Sequence, residues 1–441
     1  MHNLAIALYK KGYIVTGSDE QIYEPSRSNL EAHGLMPLAL GWDSGRVTED
    51  LDAVILGKQA DADNVELKRA QELGLRIYSY PEFICQQAQE KVRVVVSGSH
   101  GKTTITSMVM HVLQQDGRDF DYLVGAKLEG FDAMVRLTKD APLMIIEGDE
   151  YPSSAIDKQP KFLHYHPNIA VISGVAWDHF DAYPTFDKYI AQFKHFIESI
   201  EPKGTLVFNR EDEVLRELVM ADHSKINKHG YNLPAYKINK GITYLQAGQE
   251  DVPLQVFGKH NLSNLAAALT VCEWLGVSRE AFYDAIRSYK NASRRLEYVT
   301  RHGDSVVYQD FVHTPAKLRA SIHAVKEQFA DKELVALIEL HVQHSLNPEY
   351  LNEYRDSMEE ADYPVVFIDG KSLKQVNTPM IGRDALLAAF NSDKLLYFTD
   401  LSELEKFFEN IDPTGKNLLF MNSGGHDSIN VSKFIDKFFW R

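Results

Sequence analysis

Cysteine is nearly absent. Cys85 and Cys272 stand far apart in a chain of 441 residues. A disulfide framework is therefore excluded, and a reducing, cytoplasmic setting is implied. No apolar run approaches the roughly 20 residues of a membrane-spanning helix. The opening Met1-His2-Asn3-Leu4 has no basic segment leading into an apolar one, so no secretory signal is visible. Positive charge is also scarce: 47 Lys and Arg against 62 Asp and Glu leave a formal charge of -15. That argues against non-specific binding to nucleic acid or to an anionic membrane, but not against an anionic substrate held by local cations. Internal repeats, low-complexity tracts and heptads are missing too.

What remains is ordinary globular composition, 44% hydrophobic and 25% charged. The length is too great for one core, and three domains is the natural count. The most informative residues are Gly98-Ser99-His100-Gly101-Lys102-Thr103-Thr104, which follow the apolar run Val92 to Val96, broken by Arg93. A buried strand delivering the chain to a glycine-rich turn that opens a helix is a phosphate-binding arrangement. Backbone N–H groups surround the anion and the helix dipole favours negative charge. Lys102 is placed to reach the terminal phosphates and Thr103 to hold Mg²⁺. Val96 stands where the longer form of the loop has glycine, so this is the short variant.

Leu4 to Lys11 reads as an amphipathic helix stopped by Gly12, and Tyr13 to Thr16 as a strand ending in Gly17-Ser18-Asp19. This is the second half of a nucleotide-binding βαβ unit whose first strand and glycine loop are missing. Either the domain starts with a helix, or the chain begins at an internal methionine. Alternation of strands and helices continues through Ala53 to Gly57, Asn64 to Leu73 and Arg76 to Ser79, to about residue 88. A second series from Val92 includes strands at Leu143 to Ile146 and Ile169 to Ser173, and helices at Phe186 to Ile200 and Asn261 to Leu275. Ala292 to Tyr298 reads as a hinge into a third series of strands: Val306 to Tyr308, Leu334 to Ile338, Val365 to Ile368, Leu395 to Phe398 and Leu418 to Met421. The expectation is an α/β protein of three domains: an incomplete Rossmann-like domain (1–88), a central P-loop ATPase domain (89–291) and a Rossmann-like C-terminal domain (292–441).

Chemistry-bearing residues cluster at strand ends, where ligands bind in open α/β sheets. Glu147-Gly148-Asp149-Glu150 offers carboxylates suited to Mg²⁺ held against a triphosphate. Trp177-Asp178-His179-Phe180-Asp181 offers a histidine for a second ion or for orienting a carboxylate. Lys259-His260-Asn261-Leu262-Ser263-Asn264 presents groups suited to an adenine edge, or Asn261 simply caps a helix. Arg294-Arg295-Leu296-Glu297 at the hinge can bring a guanidinium to the γ-phosphate. In Tyr308-Gln309-Asp310-Phe311-Val312-His313, Asp310 suits a ribose hydroxyl and His313 a cleft wall.

These blocks, in this order over nearly the whole chain, resemble the Mur ligases, ATP-dependent enzymes that join amino acids or peptides to UDP-N-acetylmuramate in peptidoglycan synthesis. By resemblance, the loop from Gly98, Ser99, His100 and Gly101 through Lys102, Thr103 and Thr104 holds ATP, with Lys102 on the β- and γ-phosphates. Thr103 binds one Mg²⁺, and Glu147 with His179 a second. His260, Asn261 and Asn264 lie at the adenine, Asp310 at the ribose and Arg295 at the γ-phosphate. The catalytic candidates are thus Lys102, His179 and Arg295, and Asp19, His100, Gly125 and His313 are assigned to substrate binding.

The Ser99-His100-Gly101 histidine is similar to the branch that uses the unextended lactyl group, which leaves two acceptors, L-alanine or the tripeptide L-alanyl-γ-D-glutamyl-meso-diaminopimelate. Ile22-Tyr23-Glu24-Pro25, Glu147-Gly148-Asp149-Glu150-Tyr151, Ile156-Asp157-Lys158, Lys161 to Tyr165 and Met421 to Gly425 look closer to the tripeptide-adding, recycling branch. The chain departs from the family's pattern at Gln309, where Asp is usual, at Thr314, where a second histidine is usual, and around His341 to His344, which lacks an arginine. The implied chemistry is activation of the lactyl carboxylate as an acyl phosphate, then attack by the amine. A nucleotide-dependent switch without ligase activity and a folate-type ligase are the rival readings.

Overall fold

The computed structural model describes all residues except 58–59, 178–181, 249, 313, 341–350, 371–380, 423–428 and 440–441, and the side chains of 437–439. The predicted His179 and His313 therefore lie outside the described residues, as do His341 to His344. The chain divides into two compact units, Met1–Leu233 with Ser263–Ile286, and Pro234–Leu262 with Arg287–Arg441. Among the described residues they hold three sheets that are wholly or mainly parallel, one for each α/β domain expected, and one small antiparallel sheet.

In the first unit the helix His2–Lys10 buries Leu4, Ile6, Ala7 and Leu8, and Gly12, at φ +98°, supplies the left-handed turn that ends it. The strand expected at Tyr13 to Thr16 is not formed: these residues are irregular and Ile14 is wholly exposed. A β-branched run becomes a strand only beside a hydrogen-bonding neighbour. The parallel pair that is formed, β1 (Val54–Leu56) and β2 (Ile77–Ser79), lies further along the chain.

Next come β3 (Val92–Ser97), β4 (Phe120–Leu123), β5 (Val135–Arg136), β6 (Leu143–Glu147), β7 (Ile169–Ile172), β8 (Thr205–Asn209) and β9 (Asn227–Tyr231). They form one sheet in the order β5-β4-β6-β3-β7-β8-β9, parallel except for β5. Strands buried on both faces read as continuous apolar runs, which explains Val94 to Val96 in β3, fully buried. Arg93, which interrupts that run, is buried too. Its guanidinium donates to the carbonyls of Ala88, Gln89, Lys91, Tyr165 and His166 and pairs with Glu201 at 2.9 Å. A buried cation persists because its donors are satisfied.

The second unit holds a three-stranded antiparallel sheet: β10 (Tyr236–Asn239), β11 (Ile242–Ala247) and β12 (Glu250–Leu254). After it come β13 (Glu297–His302), β14 (Ser305–Phe311), β15 (Glu333–Glu339), β16 (Tyr363–Phe367), β17 (Leu396–Phe398) and β18 (Lys416–Asn422). Their order is β13-β14-β18-β15-β16-β17, parallel except for β13. Alternate residues feed two cores. Tyr308, Ala336, Ile338 and Leu419 pack with Leu318 and Ile322 of the helix Pro315–Gln328, while Val307, Val335, Leu337 and Phe420 pack with Leu404, Phe408 and Phe434. Helices on both faces make this a doubly wound sheet.

Candidate active site

In the seven-stranded sheet β3 lies between β6 and β7, so the chain leaves β3 at the point where strand order reverses. The ends of these three strands converge there. The loop after β3 runs straight into the helix Lys102–Gln115. Gly98 and Gly101 adopt φ +125° and +79°, conformations that L side chains rarely accept. A Cβ at Gly98 would overlap Ser173, and one at Gly101 would overlap the Asn264 carboxamide. Both glycines are thus required by the close approach of the loop to Ser173 and Asn264 as well as by their backbone conformation.

Glu147 closes β6 and joins two predicted residues. Its Oε1 accepts from Thr103 Oγ1 at 2.8 Å, and its Oε2 accepts from the Gly125 amide at 2.7 Å. Gly125 thus orients a carboxylate, a role that sequence reading, which placed it at the substrate, missed. Thr103 and Glu147 put two hard oxygen donors side by side, a donor set that fits Mg²⁺. The third proposed ligand, His179, lies outside the described residues.

Lys102 Nζ donates to the Gly98 carbonyl at 2.7 Å and to Glu150 Oε2 and Oε1 at 2.9 and 3.1 Å. Burial pushes the ammonium down, the carboxylates of Glu150, Asp149 and Glu147 push it up, and the balance lies above its ordinary value. Glu150 is fully buried, with Oε1 also receiving Tyr189 OH at 3.2 Å. Ser99 Oγ lies 2.9 Å from Tyr189 OH and accepts from the Ala176 amide at 2.8 Å. Tyr189 and Ser99 are far from Glu150 in sequence, so no spacing rule announced this chain of bonds. His100 is exposed and lies beside Gly174, where a Cβ would approach its ring to 2.9 Å, while Thr104 is buried. The Asp19 carbonyl accepts from the Gly41 amide at 2.9 Å.

His260, Asn261, Asp310 and Arg295 belong to the second unit. Asn261 is no helix cap: it lies within the helix Lys259–Trp274, and its Nδ2 donates to the Phe257 carbonyl at 2.9 Å. Burial pushes the His260 imidazole down, against the upward pull of Asp310. Asp310, buried at the end of β14, accepts from the Leu296 amide at 2.9 Å and from Ser321 Oγ. Its carboxylate holds the segment in which Arg294 and Leu296 sit at φ +60° and +43°. Arg295 stacks over the Phe311 ring at 4.7 Å. Both departures in this region have local partners. Gln309 donates to Glu297 at 2.6 Å, a bond that an ionised Asp could not make, and Thr314 caps the helix Pro315–Gln328 by accepting from the Lys317 amide.

Residues 1–92 match the description "Mur ligase family, catalytic domain", and residues 96–272 match "Mur ligase middle domain". The UDP-N-acetylmuramate–L-alanyl-gamma-D-glutamyl-meso-2,6-diaminoheptandioate ligase of Haemophilus influenzae is 30% identical, over 74% of this chain and 74% of its own. The chain belongs to the Mur ligase family. The UDP-N-acetylmuramate–L-alanine ligase of Ligilactobacillus salivarius is 28% identical to this Mur ligase, over 96% of the chain and 92% of that protein. Its fold is similar to that of the UDP-N-acetylmuramate-alanine ligase of Thermotoga maritima, with a TM-score of 0.72 at 22% identity, over 98% and 96% of the two chains. As a Mur ligase the protein is an ATP-dependent enzyme that forms an amide bond in peptidoglycan metabolism. Among the described residues no helix is long and apolar enough to cross a membrane.

Proposed function

We propose that this Mur ligase joins the lactyl carboxylate of UDP-N-acetylmuramate to the amine of L-alanyl-γ-D-glutamyl-meso-diaminopimelate. The observation that carries the chemistry is the meeting of Lys102, Thr103 and Glu147 at the ends of β3 and β6. A lactyl carboxylate oxygen attacks the γ-phosphorus of ATP, the bond to the β-phosphate oxygen breaks, and ADP departs. The amine then attacks the acyl carbon of the acyl phosphate, inorganic phosphate leaves and the nitrogen loses a proton. Such transfers are catalysed by position and charge neutralisation, without a covalent nucleophile on the protein.

In this reading Lys102 and Arg295 neutralise the developing phosphate charge, and the Gly98–Thr104 loop cradles the phosphates. Thr103 is the proposed ligand of one Mg²⁺, and Glu147 with His179 of a second; when bound, the ions would screen the triphosphate oxygens. His260, Asn261 and Asn264 serve the adenine and Asp310 the ribose, while Asp19, His100, Gly125 and His313 are the proposed substrate residues. Residues 1–88, 89–291 and 292–441 are the proposed substrate, ATP and ligase domains.

The Haemophilus relative supports the tripeptide as acceptor. A second reading, L-alanine, is favoured by the L-alanine ligase of Ligilactobacillus, which matches more of the chain. Phosphate release from ATP, Mg²⁺ and UDP-N-acetylmuramate separates them. Turnover with the tripeptide alone is expected. Turnover with L-alanine alone transfers the assignment to the second reading, and nucleotide binding without turnover on either acceptor leaves a switch protein.

A further inference from the structure

The ammonium of Lys102 has three N–H bonds and meets three acceptors: the Gly98 carbonyl and both oxygens of Glu150. A phosphate that takes one N–H must displace one of them. The longest contact, 3.1 Å to Oε1, is also the one with a substitute, because Tyr189 OH already donates to that oxygen at 3.2 Å. The substitute is itself directed. Ser99 Oγ accepts from the Ala176 amide, which leaves its proton for Tyr189 oxygen, and Tyr189 then directs its own proton to the carboxylate. Tyr189 cannot turn away easily: it is fully buried, and its ring meets Phe193 edge-on at 5.2 Å and Tyr183 at 5.5 Å. Tyr183 OH in turn donates to the Glu150 carbonyl at 2.5 Å, so the glutamate is held at both main chain and side chain.

We propose that Glu150 is a positioning residue for Lys102: its carboxylate is the pivot on which the lysine turns one N–H toward the terminal phosphates, and Tyr189 replaces that N–H at Oε1. The inference deepens the proposed function and rests on its reading of Lys102 as the phosphate-binding cation. Nothing in it requires Glu150 to touch substrate. Its effect reaches the reaction only through where Lys102 is held, and lysine orientation matters most when charge builds on the transferring phosphoryl group.

The test uses the full chain with Glu150→Gln, Glu150→Asp, Tyr189→Phe and the double variant Glu150→Gln/Tyr189→Phe. Where ligation is measured, Glu150→Gln is expected to lower kcat at least ~10-fold with KM for ATP moved less than about 3-fold, as for an interaction that matters chiefly in the transition state. Tyr189→Phe should lower kcat by a smaller factor, and the double variant should be no worse than Glu150→Gln, because both act on one pivot. Glu150→Asp, which keeps the charge but shortens its reach, should recover part of the loss.

A second readout needs no acceptor. Titration with ADP and with a non-hydrolysable ATP analogue should show that Glu150→Gln weakens the analogue relative to ADP. Unchanged kcat and an unchanged analogue-to-ADP ratio would overturn the proposal, as would additive losses in the double variant. If the wild type turns over with neither acceptor, the ligase reading fails while the nucleotide titration still decides the role of Glu150. Should Glu150→Gln fail to fold, Tyr189→Phe, which removes only a hydroxyl, decides both readouts.

Discussion

The Asn264 carboxamide occupies the space that a side chain on Gly101 would need. Gly101 also sits at φ +79°, a conformation that costs a non-glycine residue about 1–2 kcal/mol. Gly101→Ala is therefore expected to push Asn264 aside, distort the loop and raise the Kd for ADP at least ~10-fold, which corresponds to about 1.4 kcal/mol. Calorimetric titration beside a thermal melt checks it. An unchanged Kd would remove the loop from the nucleotide site.

Thr103 and Glu147 touch at 2.8 Å and present only oxygen to a cation. Glu147→Gln keeps the shape and removes the charge, while Thr103→Val removes the hydroxyl. Each is expected to raise the Mg²⁺ concentration needed for half-maximal phosphate release and to lower kcat by roughly 10²-fold, the scale lost when one preorganised electrostatic contact is removed. A magnesium titration of turnover reads both effects, and an unchanged midpoint in both variants would count against this pair as ligands.

Asp121 is wholly buried, 3.0 Å from the Lys91 ammonium, and accepts from the amide and hydroxyl of Thr138. Removing one member of a buried pair leaves an uncompensated charge. Asp121→Ala should destabilise the first unit by about 3–5 kcal/mol without altering any group proposed for catalysis. Denaturant unfolding of the variant measures this, and a shift below about 1 kcal/mol would mean that water reaches Lys91.

His260 carries a pH prediction. Burial holds its folded-state imidazole below the ordinary 6.5, despite the opposing pull of Asp310 and with Lys317 and His323 adding positive charge nearby. The unfolded chain therefore takes up the proton first. The stability that His260 contributes is complete above pH 6.5 and is lost as pH falls toward its lower folded value. His260→Asn should flatten the decline in melting temperature between about pH 7 and 5, and an equally steep decline in both proteins would show that other groups dominate.

The central site was largely legible because the physics that builds it is local. Val94 to Val96 announce a strand buried on both faces, and the glycines that follow announce a backbone left open to an anion. Tyr13 to Thr16 carry the same β-branched signal without a pairing strand, so there the inference failed. The sheet β10 to β12 went unread because its strands are short, four to six residues each, and Pro253 inside one of them argues against a strand. The tie between Ser99, Tyr189 and Glu150 was invisible for another reason: residues 90 and 39 positions apart share no pattern until the fold brings them together.

Arg93 bears on where the chain can be divided. Three of the carbonyls that hold its guanidinium belong to Ala88, Gln89 and Lys91, ahead of the strand on which the arginine itself stands. The two family matches leave it between them, one ending at residue 92 and the other starting at residue 96. That junction looks like a place to cut, but a fragment begun there loses either the arginine or half of its cage. Surgery on the nucleotide domain has to start upstream of Ala88, because this cation fastens a seam that sequence similarity draws as a gap.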